Sequence, residues 1–194
     1  MKLMRMGAAL GLLGLVACGA PQSETPGGDM FAGLTAYCGQ AFEGHVTSDD
    51  PRDADWAAQT LTVHFADCSA DQIRVPLHVG EDRSRVWVIS REVDGLRLQH
   101  AHHHENGDED AVSLYGGSTL TPPANGRAEF PADQFSKDLF EREGLAASVT
   151  NVWSLTLTDD RLTYALDRPE RHFEASFDLT RPVAAPPAPW GAAE

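Results

Sequence analysis

The chain has 194 residues, the length of a single domain, with a formal net charge of −14 and 42% apolar residues. No basic stripe is present to displace counterions, so nucleic acid is excluded as an expected partner. The apolar fraction is enough for a sizeable core and excludes a disordered body.

In chain order, the first element is a leader. Lys2 and Arg5 precede an apolar run from Gly7 to Ala17 that is too short to span a bilayer. The run ends in Leu15-Val16-Ala17-Cys18. This motif resembles the lipobox of bacterial lipoproteins: a leucine three residues before the cysteine and a small residue just before it. The resemblance implies that residues 1–17 are a signal peptide, and that the Cys18 thiol receives diacylglycerol and the new amino terminus a fatty acyl chain such as palmitate. Each buried CH₂ of such chains contributes roughly 0.8 kcal/mol to membrane anchoring. Loss of Lys2 and Arg5 takes the formal charge from −14 to −16. In lipoproteins the residue after the cysteine directs sorting, and Gly19 in place of an aspartate implies the outer membrane, facing the periplasm, with surface exposure as the alternative. An ordinary secretory leader with a chance cysteine is the competing reading.

Residues 18–33, rich in Gly, Pro and polar groups, read as a flexible tether. Cys38 and Cys68 then remain, and two cysteines in an exported chain point to a disulfide. Closing a loop of about 30 residues contributes about 3–4 kcal/mol in the chain-entropy model. A thiolate metal site with a nearby histidine is the alternative.

The body, residues 34–181, reads as β-structure. Apolar and polar residues alternate over 61–65, 73–79, 85–91, 96–104, 111–115, 149–157, 161–166 and 172–180. Asp94-Gly95 is a tight-hairpin signal, and Pro76 places its strand at an edge or a bulge. The run 131–143 instead spaces Phe135, Leu139 and Phe140 as on a helix, with Gly144 after it. The expectation is an all-β fold with one short helix, an antiparallel meander closing into a lipocalin-like up-and-down barrel. A sandwich or jelly roll is the alternative. Residues 182–194 form a Pro/Ala-rich tail, extended or unstructured, whose Trp190 is the one residue suited to docking.

One stretch concentrates chemistry. His100-Ala101-His102-His103-His104-Glu105-Asn106-Gly107-Asp108-Glu109-Asp110 carries four histidines and four carboxylates. On a strand, His100, His102 and His104 continue the face of Leu96 and Leu98. If that face points inward, the imidazoles line the barrel or its mouth. Two of them with Glu109 form a candidate site for zinc or another divalent transition metal. His102-x-His104, then Glu109 and Gly116, resembles the first metal-binding motif of cupins, but no second motif follows. The competing reading is a solvated hairpin tip, signalled by Asn106-Gly107. His64 and His78 oppose the apolar faces of their strands and read as surface or second-layer residues. Trp87 and Trp153 read as core or as an aromatic cavity lining. From about Val86 to Gly117, and again over residues 148–157, the body resembles uncharacterised secreted proteins and lipoproteins of Gram-negative bacteria, a resemblance that implies no activity.

No glycine-framed serine or phosphate loop is present, so a catalytic role is not the first expectation. No cofactor beyond that metal is expected. The leading reading is a membrane-anchored lipoprotein whose β-domain binds a small apolar ligand or an envelope partner. The alternatives are a metal-binding protein or enzyme built on His100, His102, His104 and Glu109, and a purely structural envelope protein.

Overall fold

The alternating runs lie in one antiparallel sheet. The computed structural model describes residues 29–192, and the leader, Cys18 and most of the expected tether lie outside the described residues. The strands are β1 (Ala41–Val46), β2 (Leu61–His64), β3 (Asp67–Cys68), β4 (Gln72–Val79), β5 (Asp82–Glu92), β6 (Gly95–His102), β7 (Tyr115–Ser118), β8 (Arg127–Pro131), β9 (Val152–Leu157), β10 (Arg161–Arg168) and β11 (Arg171–Val183). Their order is β7-β6-β5-β4-β2-β1-β11-β10-β9-β8, with β3 beside β4. Because β11 pairs with β1, the meander curls round on itself into a nearly closed up-and-down barrel of ten strands.

The seam lies between β7 and β8, and backbone approach closes it. A Cβ on Gly117 would collide with the Pro131 carbonyl, and one on Gly116 with that of Leu98. Only glycines allow the strand to sit this close. Among the described residues, the one helix longer than two turns, α3 (Gln134–Arg142), starts at this seam. Its N-cap is Asp133, whose carboxylate accepts from Ser136 N–H at 2.8 Å. The Asp133 N–H donates to Gly116 O at 2.9 Å. The buried Ser136 hydroxyl accepts from Gly116 N–H at 2.7 Å and lies 2.9 Å from Gly116 O. The unpaired edge of β7 is thereby satisfied by a helix start rather than by a strand.

Several boundaries differ from expectation for identifiable reasons. The predicted helix over 131–143 begins three residues later, because Pro131 ends β8 and Asp133 supplies the cap. The run 111–115 is loop up to Leu114, whose φ of 59° is incompatible with a strand, and β7 starts at Tyr115. Residues 146–150 form a 3₁₀ turn, so β9 starts at Val152. The hairpin turn falls on Val93 and Asp94, with Glu92 opposite Gly95. Pro76 lies in an interior strand, at a gap in the pairing: β4 pairs with β3 through Arg74 and with β2 from Leu77 onward, so Pro76's missing N–H falls between the two.

The end of the expected tether is structured. Asp29 caps α1 (Met30–Thr35), which buries Met30, Phe31 and Leu34 against one end of the barrel. A six-residue helix is not stable alone. Burial of these three side chains, each worth roughly 1.5–3 kcal/mol, holds it. Arg91 tightens the joint by pairing with Asp29 at 2.8 Å and lying over the Phe31 ring. Just beyond, Cys38 and Cys68 form the expected disulfide, with Cα atoms 6.2 Å apart, so the thiolate alternative is not realised. A second short helix, α2 (Ala54–Ala57), brings Trp56 edge-on to Phe173.

The inward faces fill the barrel. Phe42, Phe65, Trp87, Phe130, Trp153 and Phe177 are fully buried in one core cluster with the aliphatic residues of β2, β4, β5 and β9. In β10 and β11, Leu162 faces Phe177 and Leu166 faces Phe173, as the alternation predicts.

Candidate functional site

The histidine-rich strand β6 divides its chemistry between the two faces of the sheet. His100 and His102 point into the barrel, as the parity with Leu96 and Leu98 predicts. His100 is buried, stacked on Tyr115 with centroids 4.8 Å apart. Its Nδ1 lies 3.2 Å from the Tyr115 carbonyl, which only accepts, so Nδ1 carries the proton. Nε2 is then an acceptor and receives the Tyr164 hydroxyl at 2.9 Å. Tyr164 in turn stacks on Trp87 at 4.6 Å. One step outward, the Tyr115 hydroxyl lies 3.1 Å from His102 Nε2.

Burial sets the protonation of this chain. Desolvation pushes His100 down to about 3, with the neighbouring His102 adding to the effect. Desolvation, then the charge of Arg85, brings His102 down to about 4. Burial raises Tyr115 to about 12 and Tyr164 well above the usual phenol range. At neutral pH all four groups are uncharged and hydrogen-bonded to one another or to backbone.

The structure does not bring the predicted metal ligands together. His100 and His102 have their Nε2 atoms engaged by tyrosine hydroxyls. His104 is exposed and faces Asp110 at 3.5 Å, and Glu109 is an exposed loop residue. Among the described residues, no three His, Cys, Asp or Glu side chains are placed to hold a metal ion. The loop from His103 to Leu114 is organised instead by its own backbone: a bridge between His103 and Glu109, and a turn at Asn106-Gly107 with Gly107 at φ 89°. The cupin-like spacing has another explanation in Gly116, which serves the barrel seam.

The outward face is different. Strand pairing aligns Pro76, Val86 and Ala101 across the outside of β4, β5 and β6, with His78 and His103 in the next row toward the β4–β5 turn. Over this face runs the C-terminal tail. It leaves β11 at Val183 and crosses the barrel wall. The Trp190 backbone N–H donates to Arg83 O at 3.0 Å, and the Arg83 guanidinium donates to Ala188 O at 3.3 Å. Gly191 lies against the His103 ring, where a Cβ would collide. The tail is thus extended and docked, with Trp190 as its anchor.

Between tail and sheet lies a groove of about 540 Å³, within the usual range for small-molecule sites. Pro76 and Val86 contribute apolar surface, and His64, Asp67, Arg74, His103 and Trp190 bring polar groups. Four buried side-chain polar atoms among the described residues have no partner, and three belong to this face: His78 Nε2, His103 Nδ1 and Trp190 Nε1. Each unpaired buried group costs about 1–3 kcal/mol, so their concentration in one place is informative. Arg74 makes no ion pair among the described residues, although it lies directly across from Asp67. A smaller groove of about 340 Å³ lies outside the seam, lined by Leu120, Pro122, Arg127 and Pro131.

Sequence reasoning located His100 and His102 but missed their partners, because Tyr164 lies 64 residues away. It also missed Arg74, whose signal, an arginine on the same outward face as His78 and Pro76, is too common to single out. No protein-family model matches the chain, and neither a curated protein nor a solved structure does.

Proposed function

We propose that the chain is a lipid-anchored lipoprotein, held at Cys18 on the periplasmic face of the outer membrane, whose barrel binds a small ligand on its outer wall. The anchor reading is supported by the leader and the Leu15-Val16-Ala17-Cys18 motif, with Gly19 favouring the outer membrane. The binding reading is carried by one contrast. Polar groups inside the barrel are paired with one another, whereas those of the tail groove are not. A filled barrel leaves its wall as the surface for recognition.

Fractionation of a Gram-negative host expressing the full chain tests the anchor. The expected result is recovery in the outer membrane, with the mass of a diacylglycerol-modified, acylated Cys18 as the mature terminus. Cys18→Ala is expected to move the protein to the soluble fraction. Membrane recovery that survives Cys18→Ala, or a mature terminus without lipid, overturns it.

A further inference from the structure

We infer that the groove beneath the C-terminal tail is a site for an amphipathic small molecule with an apolar, aromatic-sized body and a singly charged anionic head. This deepens the binding reading above and rests on it. The groups without partners dictate the ligand's chemistry. A Trp indole N–H and an Arg guanidinium only donate. Trp190 Nε1 is buried with no acceptor, and Arg74 has no carboxylate within ion-pair distance among the described residues. Both line the same groove. A ligand oxygen on Arg74 supplies one missing acceptor, and one that reaches Trp190 Nε1 as the tail shifts to admit the ligand supplies the other; an anionic oxygen does so with the stronger, charge-assisted bond.

The rest of the groove selects the body. Pro76 and Val86 form part of its floor, and Pro186, Pro189 and the Trp190 ring form the roof. These side chains are apolar and short or rigid, and a flat hydrophobic body loses little entropy against them. Asp67 stands on the same rim, opposite Arg74, so one negative charge matches the local field better than two.

A matched pair of probes isolates the head group: 8-anilinonaphthalene-1-sulfonate and N-phenyl-1-naphthylamine, the same ring system without the sulfonate. Binding to the unlipidated Cys18→Ala chain is followed by fluorescence, with near-ultraviolet circular dichroism as the control for folding. The expected result is saturable one-to-one binding of the sulfonate, at least about tenfold tighter than the neutral probe. Arg74→Ala is expected to bring the two affinities together, and Trp190→Phe, which keeps a smaller aromatic ring but removes the indole N–H, to narrow the ratio about threefold. Truncation after Val183 is expected to abolish saturable binding of both. Equal affinities in the parent protein, with both lost on truncation, overturn the anionic ligand and leave the groove as a binding site. A ratio unmoved by Arg74→Ala, or binding unmoved by truncation, overturns the assignment of the site. Absence of saturable binding by either probe overturns the binding reading together with this inference.

Discussion

His100 and His103 are three residues apart on the same stretch of chain and meet opposite fates. His100 turns inward, where a carbonyl and a tyrosine hydroxyl hold both ring nitrogens. His103 turns outward under the C-terminal tail, and its buried Nδ1 has no partner. The difference comes from strand parity, and it separates groups that stabilise a fold from groups left available. A polar group inside a core is tolerable only when saturated, and a saturated group has nothing left for a ligand. The inner cluster therefore reads as architecture, and the outer one is where we propose that binding occurs.

Paired substitutions give the strongest way to break this comparison. His100→Ala removes a packed ring, opens a cavity between Tyr115 and Trp153, and strands the Tyr164 hydroxyl. The expected loss is about 3–5 kcal/mol of unfolding free energy, the range for truncating large buried side chains. His103→Ala is expected to stay within about 0.5 kcal/mol of the parent, since the packing lost from its ring against Gly191 is offset by removal of an unpaired buried nitrogen. Urea unfolding at pH 7 measures both. Equal costs at the two positions would sink the division into architecture and surface.

A smaller effect follows from pH. His100 and His102 have folded values near 3 and 4, below the usual 6.5 of the unfolded chain. Between these limits the unfolded state binds more protons than the folded state, so stability rises with pH across the window and is lost on acidification. Above pH 6.5 the contribution is flat. The two histidines together are expected to cost about 2 kcal/mol between pH 6.5 and 5.5, each approaching 1.4 kcal/mol per pH unit lower in the window. His64 and His78, also lowered by burial, act with the same sign. The carboxylates of Asp29 and Asp82, held below the usual range chiefly by hydrogen bonds to Arg91 and Arg85 against desolvation, add their loss only at lower pH. A His100→Gln/His102→Gln variant is expected to start less stable but to show a flatter profile from pH 6.5 to 5.5. An unchanged slope would mean that these rings are not the groups being titrated.

How much of this was legible in the sequence follows the same division. The barrel was, because Leu61, Val63 and Phe65, or Ile73, Val75 and Leu77, announce a strand by local alternation alone. So was the inward aim of His100, by parity with Leu96 and Leu98. β1 was not, since Glu43, Gly44 and His45 blur its pattern. Nor was α1, because six residues give too little helical periodicity to separate from a tether. What no local pattern carries is a contact across the barrel. The Tyr164–His100 bond and the groove beneath Trp190 join segments 64 and more than 80 residues apart, and only the curvature of the sheet brings them together. Nor does spacing say whether donors meet: His100 and His102 both point inward to tyrosine hydroxyls, while His104 and Glu109 lie exposed in the loop beyond the strand.

Truncation after Val183 is the smallest and most discriminating test. The tail is held by the Trp190 backbone N–H to Arg83 O bond, the Arg83 contact to Ala188 O, and its packing over the Val86 face. It contributes no residue to the barrel core. Its docking also leaves Trp190 Nε1 and His103 Nδ1 unpaired, which offsets part of what the packing gains. Removing it is therefore expected to change unfolding free energy by less than about 1 kcal/mol, because a packed segment with compensating unpaired groups is marginally held. In the intact chain the tail is expected to be cut by protease well before the barrel, at a rate set by local opening rather than global unfolding. A tail as costly to remove as His100 would make it part of the architecture, and the groove beneath it a packing defect rather than a site.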